Sequence, residues 1–343
     1  MTTPDVKTLT VVVPSYNSAA YLRHCVDSLL PGGDALEILI VNDGSTDETA
    51  AIADDYAARY PSIVRAIHQP NGGHGAAVNA GVAHAAGRYL KVVDSDDWVE
   101  PGALASVLAT LAGLIEAGTD PDLLVSNFVY EKQGKRRKRT VRYGSVLPRG
   151  RVFGWDEVGR FRPAQYLLMH ALTYRTSLLR DSGFRLPEHT FYVDNLFASV
   201  PLQHVRSLYY VDVDLYRYFI GRPDQSVNEA VMLRRIDQQL RVTRLMQESL
   251  PQAGEVHPRL HNYLVHYFQI VSAVTSMMLI RSGTRESLER KASMWQTLRE
   301  EHPRVHRRMR RSMLGQLINL PGPAGRRTSV AAYRVAQRVV GFN

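Results

Sequence analysis

Short apolar runs alternate with helical stretches along the first 130 residues of the chain. The runs are continuous and rich in β-branched residues, as in LTVVV at Leu9–Val13, which is typical of strands buried on both faces. Ser45 and Glu48 have the spacing of a capping box ahead of the second helix. The pattern predicts strands at Leu9–Val13, Glu37–Val41, Ile63–His68, Tyr89–Val93 and Asp122–Tyr130, and helices at Ala19–Leu30, up to Tyr60, at Gly75–Ala86 and at Pro101–Ala117.

Strands that alternate with helices predict an α/β fold with a mostly parallel sheet flanked by helices. From about residue 228 the pattern becomes helical, and the chain contains no repeat or low-complexity segment. We therefore expect an α/β region at residues 1–227, with two halves that divide near residue 130, and a helical C-terminal appendage at residues 228–343. The helices of the appendage are predicted at Glu229–Leu250, Pro258–Arg281 and Arg285–Glu300.

The composition is that of a globular protein, with 45% apolar and 22% charged residues, and Cys25 as the single cysteine excludes an intrachain disulfide. The longest apolar tract, Tyr263–Ile280, is interrupted by His266 and Gln269, which favours a buried helix over a membrane span. The N-terminal residues lack the basic and apolar regions of a secretory signal, so we expect a cytoplasmic protein.

Positive charge is concentrated in the C-terminal tail. From Arg304 onward the chain has nine arginines and no acidic residue, which equals the net charge of +9, so residues 1–303 are neutral in sum. A second basic run, Lys132–Arg142, carries seven positive charges. Either run fits a solvated surface or a surface that attracts anions.

Polar and glycine-rich segments follow each of the first four predicted strands. They are PSYN at residues 14–17, DGS at residues 43–45, PNGGHG at residues 70–75 and DSDDWVE at residues 94–100. Because ligands bind at the carboxyl ends of the strands in such sheets, we expect these segments to line one ligand site.

The fourth segment places Asp94, Asp96, Asp97 and Glu100 within seven residues. The dipole of the helix that follows accounts for one or two of these carboxylates, but not for all four. Oxygen ligands suit Mg²⁺ or Mn²⁺, which often use few carboxylates together with the phosphates of a substrate. The cluster therefore predicts a divalent cation and its phosphate ligand.

Residues 73–78, GHGAAV, support a different hypothesis, because they follow a strand, open a helix and approximate a dinucleotide fingerprint. Val78, however, stands where the third small residue of that fingerprint belongs. The segment also follows the third strand rather than the first. An NAD-binding protein is the weaker hypothesis.

Three segments, TVVVPSYNSAAYL, ILIVNDGSTDET and QPNGGHGAAVNAGVAHAAGRYLKVVDSDDWVEP, together resemble the nucleotide-sugar glycosyltransferases of family 2, which have the GT-A fold. The resemblance implies a metal-dependent enzyme that inverts the anomeric centre of the transferred sugar, with residues 1–227 as its catalytic domain. Residues 1–130 would bind the nucleotide and residues 131–227 the acceptor. The acceptors of this family are commonly glycans or lipid-linked molecules of the cell envelope.

By the same resemblance, Pro14, Ser15 and Tyr16 line the pocket for the base. Asp43 would accept a hydrogen bond from the uracil imide N–H, which implies a UDP-sugar as the donor. The loop beside the donor, where small residues let the backbone approach, is matched by Asn71, Gly73 and Gly75.

The family's DxD motif is matched by Asp94-Ser95-Asp96. This match implies that Asp94 holds the ribose and that Asp96 holds a Mn²⁺ or Mg²⁺ ion bound to the diphosphate. The later segment RYFIGRPDQSVN also resembles the family, and it implies that Arg222 and Gln225 contact the diphosphate or the acceptor.

Inversion requires a general base on the acceptor side, and Asp194 in HTFYVDNLFASVPL is the candidate. Its apolar and aromatic neighbours are expected to raise its pKa, although an aspartate that caps a helix would fit the same place. The family's motif has a glutamate where this chain has Val193, so the match is partial, and Glu188 and Asp181 are the next candidates. We expect His170, beside apolar residues, to be a core residue rather than a metal or acceptor contact.

The tail contains RVHRRMRR at residues 304–311, followed by apolar helical stretches. This pattern predicts peripheral contact of Arg304–Arg338 with an anionic membrane, such as the inner face of the plasma membrane. A nucleic-acid partner is not expected, because the acids at the strand ends would repel phosphates. A catalytically inactive nucleotide-sugar-binding protein remains the alternative, and the presence of Asp194 argues against it.

Overall fold

The computed structural model describes residues 7–134, 138–163, 165–221 and 228–340, and of residues 336–340 it describes the backbone alone. The chain divides into two units. The first comprises Met1–Phe161 and Leu167–Ile220, and the second comprises Arg162–Tyr166 and Gly221–Asn343.

The first unit is built on one mixed sheet. Its strands are β1 (Leu9–Ser15), β2 (Leu36–Asp43), β3 (Val64–Gln69), β4 (Tyr89–Val92), β5 (Trp98–Val99), β6 (Leu123–Lys132), β7 (Arg139–Val141), β8 (Val152–Phe153), β9 (Leu172–Arg175) and β10 (Leu208–Ile220). They lie in the order β3-β2-β1-β4-β9-β6-β10-β5, with β7 paired to β6 and β8 paired to β10. The five predicted strands are all present, with bounds within two residues of those expected.

Strand direction reveals a feature that the sequence pattern did not predict. The strands β3, β2, β1 and β4 are parallel to one another, as are β6 and β10. Between these two groups lies β9, which is antiparallel to both β4 and β6. Every residue of β1 and β2 is buried, as their continuous apolar sequence predicts.

Six α-helices accompany the sheet in the described part of the first unit. They are α1 (Leu22–Leu29), α2 (Thr49–Arg59), α3 (His74–His84), α4 (Pro101–Glu116), α5 (Thr176–Asp181) and α6 (Asp194–Phe197). The predicted capping box of Ser45 and Glu48 is wrong, because α2 begins at Thr49 and the Glu48 side chain makes no capping bond. The Ser45 hydroxyl instead accepts a hydrogen bond from the backbone of Asn17.

The beginning of α3 packs tightly against a segment that comes about 110 residues later in the chain. A Cβ atom on Gly75 would lie 2.5 Å from the carbonyl oxygen of Pro187, so only glycine allows this approach. One turn further, the side chain of Asn79 exchanges two hydrogen bonds, each 2.9 Å long, with the backbone of Leu186. Since this segment leads directly to Asp194, α3 fixes where that side chain lies.

The second unit is helical, as predicted, and α9 is its central element. Its helices are α7 (Glu229–Arg234), α8 (Ile236–Glu248), α9 (Pro258–Ser282), α10 (Arg285–Glu301), α11 (Pro303–Arg311), α12 (Met313–Leu317) and α13 (Gly322–Val340). Helices α7, α8, α10, α12 and α13 all contact α9. In the described part of the chain, α9 alone is long and apolar enough to cross a membrane, with a mean hydropathy of 1.4 over 18 residues, but 78% of that window is buried within the protein.

The close approach at α3 predicts that a methyl group on Gly75 lowers the stability of the protein, whereas one on an exposed helical glycine raises it. Gly75→Ala is expected to lower the free energy of unfolding by about 1–3 kcal/mol, because the new methyl group forces the backbone apart. Gly113→Ala, on the exposed face of α4 with nothing within 4 Å of the new methyl group, is the matched control. It is expected to raise the free energy of unfolding by about 0.5–1 kcal/mol. Urea unfolding measures both, and a Gly75 variant as stable as the original chain would contradict the packing.

Candidate active site

The loops that follow β1 and β2 are joined by hydrogen bonds. The N–H of Asn17 donates to Ser45 Oγ at 3.0 Å, and the N–H of Thr46 donates to Asn17 Oδ1 at 2.8 Å. Asn17 has a φ of 49°, in the left-handed region that asparagine tolerates better than most residues. The segments PSYN and DGS, which the sequence places at one edge of the sheet, are therefore in direct contact.

Among the three residues predicted to surround a base, Tyr16 is the one that presents its ring to solvent. It is 52% exposed, whereas Pro14 and Ser15 are buried. The Ser15 hydroxyl donates to the carbonyl oxygen of Val13 at 3.1 Å. Tyr16 therefore offers a flat aromatic surface at the carboxyl end of β1, while its two predecessors hold the backbone there.

The carboxylate of Asp43 organises the third polar segment. It is 2% exposed and accepts hydrogen bonds from Gln69 Nε2 (2.7 Å), from the N–H of Gly72 (2.9 Å) and from the N–H of Gly73 (2.7 Å). The side chain of Asn71 donates to the backbone carbonyl of Asp43 at 2.9 Å. Three donors use most of the acceptor capacity of a carboxylate, so any contact with a base would come in addition to this structural role.

The small residues of this segment also make room for another part of the protein. Gly73 has a φ of 83°, and a Cβ atom on it would lie 3.1 Å from the backbone nitrogen of His189. Together with Gly75, it lets the segment 186–189 approach. The structure thus gives both glycines a packing role besides the donor contact that the resemblance implies.

The four acids after β4 lie in three different environments. Glu100 accepts a hydrogen bond from the N–H of Ala103 at 2.6 Å and so caps α4, as the helix-dipole alternative requires. Asp97 is buried and accepts hydrogen bonds from the hydroxyl of Tyr216 (2.5 Å) and from the N–H of Phe219 (2.7 Å). Asp94 and Asp96 are partly exposed, which leaves them as the carboxylates that a ligand can reach.

Ser95, the middle residue of the DxD match, is buried, and its hydroxyl lies 2.7 Å from that of Ser18. This contact links the loop after β4 to the loop after β1. The four segments predicted to share one site are therefore connected through side chains.

His74, the first residue of α3, contacts the acid cluster. Its Nε2 lies 2.8 Å from Asp94 Oδ1. Burial opposes ionisation of Asp94, but the hydrogen bond with His74 and its charge outweigh burial and lower the pKa of Asp94. Burial also acts to lower the pKa of His74, but its bond to Asp94 and the charges of the neighbouring carboxylates raise it above its usual value. Asp94 is therefore held as a carboxylate.

The pKa of Asp97 is shifted in the opposite direction from that of Asp94. Burial, followed by the charges of Asp96 and Asp94, raises the pKa of Asp97 well above its usual range. Burial and the charges of its two neighbours therefore act against the ionised form of Asp97. A divalent cation beside the cluster would act in favour of that form.

His170 is buried, as expected of a core residue, and its ring stacks on Tyr216 with centroids 4.4 Å apart. One of its nitrogens and one oxygen each of Asp94 and Asp97 lie within 4.8 Å of one another. Burial lowers the pKa of His170 to about 4, and its Nδ1 has no hydrogen-bond partner among the described residues. The ring is thus a neutral imidazole with a buried polar atom beside the acids, and these three residues form a set of possible cation ligands that is distinct from Asp96.

Lys91 lies beneath the acid cluster, in the middle of β4. Its Nζ donates to the carbonyl oxygen of His170 at 2.6 Å and lies 5.3 Å from the centroid of the Tyr216 ring. Burial lowers the pKa of Lys91 to about 7, with an opposing effect from Asp94. Lys91 therefore supplies part of the counter-charge for the cluster from inside the sheet.

Asp194 is the first residue of α6 and lies close enough to His74 and Asp94 for their charges to act on it. Burial raises the pKa of Asp194 to about 6, in the direction that its apolar neighbours predict. Asp194 lies in the first turn of α6, where Val193 is the N-cap, and its carboxylate accepts a hydrogen bond from Asn195 Nδ2 at 3.2 Å and interacts with the backbone N–H of Asn195. A carboxylate with this pKa, beside the acid cluster, is suited to take a proton near neutral pH.

The remaining predicted residues divide into two groups. Glu188 lies in the segment packed against α3, and Asp181 is the last residue of α5. Arg222 and Gln225 lie outside the described residues. Sequence reasoning assigned no role to His74, Lys91 and Tyr216, although a lysine inside the apolar strand YLKVV and a histidine inside GHG were signals for the first two.

Comparison with protein families and curated relatives agrees with this geometry. The family model described as glycosyl transferase family 2 matches residues 10–169. The chain is 31% identical over 223 residues to the uncharacterized glycosyltransferase MG025 homolog of Mycoplasma pneumoniae, over 63% of this chain and 69% of that protein. It is 32% identical over 222 residues to the putative glycosyltransferase EpsH of Bacillus subtilis, over 60% of this chain and 62% of that protein. The chain thus spans about three fifths of the length of EpsH.

Solved structures with the same fold include two with bound nucleotide sugars. S. aureus TarS 1-349 in complex with UDP-GlcNAc superposes with a TM-score of 0.66 at 18% identity, covering 96% of this chain and 92% of that chain. The mannosyltransferase PcManGT from Pyrobaculum calidifontis, in complex with GDP-Man and Mn²⁺, gives a TM-score of 0.50 at 16% identity, covering 96% of this chain and 86% of that chain. The expected GT-A fold with a helical C-terminal part is confirmed.

Proposed function

The chain belongs to glycosyl transferase family 2, and we propose that it is a metal-dependent, inverting enzyme that moves a sugar from a UDP-sugar to a glycan or a lipid-linked acceptor. The observation that carries the proposal is that the polar segments after β1 to β4 come together around His74, which is hydrogen-bonded to Asp94 and close enough to Asp96 and Asp194 for their charges to act on it. Residues 1–130 would bind the donor, and residues 131–227 would bind the acceptor.

UDP is the proposed nucleotide. The exposed ring of Tyr16 can stack on a base, and Asp43, Asn71 and Gly73 form the loop beside it. The TarS complex with UDP-GlcNAc supports a UDP-sugar, whereas the PcManGT complex contains GDP-Man. The alternatives to be separated by experiment are therefore UDP, GDP and, from the fingerprint-like segment, NAD.

A divalent cation fits the acid cluster, and Asp96 is its proposed ligand, with Mn²⁺ or Mg²⁺ as the ion. When bound, such an ion supplies Lewis-acid stabilisation of the diphosphate leaving group. The protein's own contribution is to hold Asp94, the proposed ribose ligand, as a carboxylate through its hydrogen bond with His74. The observation that supports a cation here is that one oxygen each of Asp94 and Asp97 and a ring nitrogen of His170 lie within 4.8 Å of one another, with Asp96 partly exposed in the same loop.

Asp194 is the proposed general base. In an inverting transfer the acceptor hydroxyl must lose its proton as it attacks, and a carboxylate with a pKa of about 6 is ionised at neutral pH and still basic enough to accept it. A catalytically inactive nucleotide-sugar-binding protein would not require a carboxylate with a raised pKa at this position.

The C-terminal helices are proposed to contact an anionic membrane surface. Five arginines of α11 are exposed around a buried stripe of Val305 and Met309. Met313, two residues after Arg311, is 83% exposed, and Val335 on α13 is 59% exposed. Basic residues next to protruding apolar side chains suit the headgroup region of a bilayer, which fits an enzyme with a lipid-linked acceptor at the inner face of the membrane.

The other basic run, Lys132–Arg142, is partly neutralised in the structure. Lys138 pairs with Glu131 at 2.7 Å, and Arg142 pairs with Asp214 at 2.8 Å. These pairs favour a solvated surface for this run, whose residues 135–137 lie outside the described part of the chain.

Ligand binding to the unaltered chain tests the donor and the metal. At a hundredfold excess over its Kd, UDP with Mn²⁺ is expected to stabilise the protein by about 2.7 kcal/mol and to raise the melting temperature more than either alone. Asp96→Ala should remove the part that depends on the metal, while Glu116→Ala, an exposed acid at the end of α4, should leave it unchanged. Differential scanning fluorimetry with UDP, GDP and NAD measures this. A larger shift with GDP or NAD would contradict the proposed donor.

The proposed role of Asp194 as general base is tested by measuring turnover. Asp194→Asn is expected to lower kcat by about 10²–10⁴ and to leave the affinity for UDP unchanged, because the residue acts on the acceptor. In the unaltered chain, kcat should decrease as the pH is lowered through about 6, because Asp194 becomes protonated. This decrease should be absent from the pH profile of the variant's residual activity. UDP release from a panel of UDP-sugars measures both. Turnover near that of the original chain would move the assignment to Glu188 or Asp181, which the corresponding amides would show.

Membrane contact is tested by removing charge. Changing Arg304, Arg307, Arg310 and Arg311 together to alanine is expected to abolish salt-sensitive sedimentation with anionic vesicles, since each arginine contributes about 1 kcal/mol near the headgroups. Truncation after Pro303 is less informative, because α12 and α13 contact α9 and their loss would uncover it. Neutral vesicles are the control, and equal binding of both proteins to anionic vesicles would point to Lys132–Arg142 instead.

A further inference from the structure

His74 occupies the point where the donor side and the acceptor side of the site meet. It is the first residue of α3 and lies between Gly73 and Gly75, the two glycines that approach the segment 186–189. Its ring reaches the carboxylate of Asp94 on the other side.

The chemistry of the contact defines the direction of the hydrogen bond. An ionised carboxylate has only acceptor atoms. His74 Nε2 therefore carries the proton and donates a hydrogen bond to Asp94 Oδ1 at 2.8 Å. One oxygen of Asp94 is thereby committed to the protein. With the side chain of Asp94 25% exposed and that of His74 32% exposed, the pair lies at the edge of the site rather than in the core.

Orientation matters at Asp94 because its neighbours have the same charge. Without His74, Asp94 would lose the 2.8 Å hydrogen bond to its Oδ1, while the like charge of Asp96 would remain two residues away. A partner that fixes a ligand-binding carboxylate is commonly needed for tight binding even though it does not touch the ligand. His74 lies where such a partner is required.

We propose that His74 is a positioning residue for the donor, which holds the carboxylate of Asp94 in the orientation that binds the nucleotide sugar. The assignment rests on the proposed function, in which Asp94 contacts the ribose. In this assignment, the first residue of α3 takes part in donor recognition. The same helix packs against residues 186–189 on the acceptor side, so it contacts both sides of the site.

The test is a double-mutant cycle on UDP binding, measured by titration calorimetry with Mn²⁺ present. His74→Ala is expected to weaken binding of UDP by about tenfold to a hundredfold. His74→Gln, which keeps a donor, should recover part of the loss, and His84→Ala at the other end of α3 should bind UDP as the original chain does. In an Asp94→Asn background, His74→Ala should cause little further loss, because the two side chains act as one unit.

Melting temperatures without ligand show whether the variants remain folded, and a merely structural role would lower them without the dependence on Asp94. Unchanged UDP affinity in His74→Ala, or an equal loss in the presence and absence of the Asp94 carboxylate, would overturn the assignment. Failure of the unaltered chain itself to bind UDP would overturn the proposed donor, and this assignment with it, so the two failures are distinguishable.

Discussion

Repulsion among three carboxylates is the constraint on which the site depends. Asp94, Asp96 and Asp97 follow β4 within four residues, and like charges about 4 Å apart repel by about 1–4 kcal/mol, depending on how much water lies between them. The surrounding structure treats each of them differently. Asp97 is buried and accepts a hydrogen bond from Tyr216, Asp94 is paired with His74, and Asp96 is left partly exposed. This division produces one edge of the cluster that a cation and a nucleotide can reach.

The same constraint links the proposed donor side of the site to Asp194, the proposed base. His74 is held beside Asp94 because α3 begins there, and α3 in turn fixes the segment that carries Asp194. That segment is strained, since His189 and Tyr192 have φ values of 48° and 66°, a conformation that costs of order 1–3 kcal/mol for residues other than glycine. The packing of Gly75 and the bonds of Asn79 offset this cost and hold the segment that leads to Asp194, the proposed base.

Much of the first unit could be predicted from local pattern, whereas the inner part of the site could not. Apolar runs such as LTVVV identify buried strands, and the polar segments after them identify the edge where Asp94 and Asp96 lie. The contacts of Asp97 could not be foreseen, because Tyr216 comes from β10, 119 residues later in the chain. The antiparallel β9 and the role of Ser45 were likewise set by tertiary contacts that no local spacing reveals.

The most direct measurement is a crystal structure of the chain with UDP and Mn²⁺, with anomalous scattering recorded at the manganese edge. We expect one manganese peak within about 2.5 Å of an Asp96 oxygen and of the diphosphate, with the ribose against Asp94 and the uracil against Tyr16. A peak held by Asp97 and His170 without Asp96, or UDP bound away from the loops after β1 to β4, would contradict the proposed site.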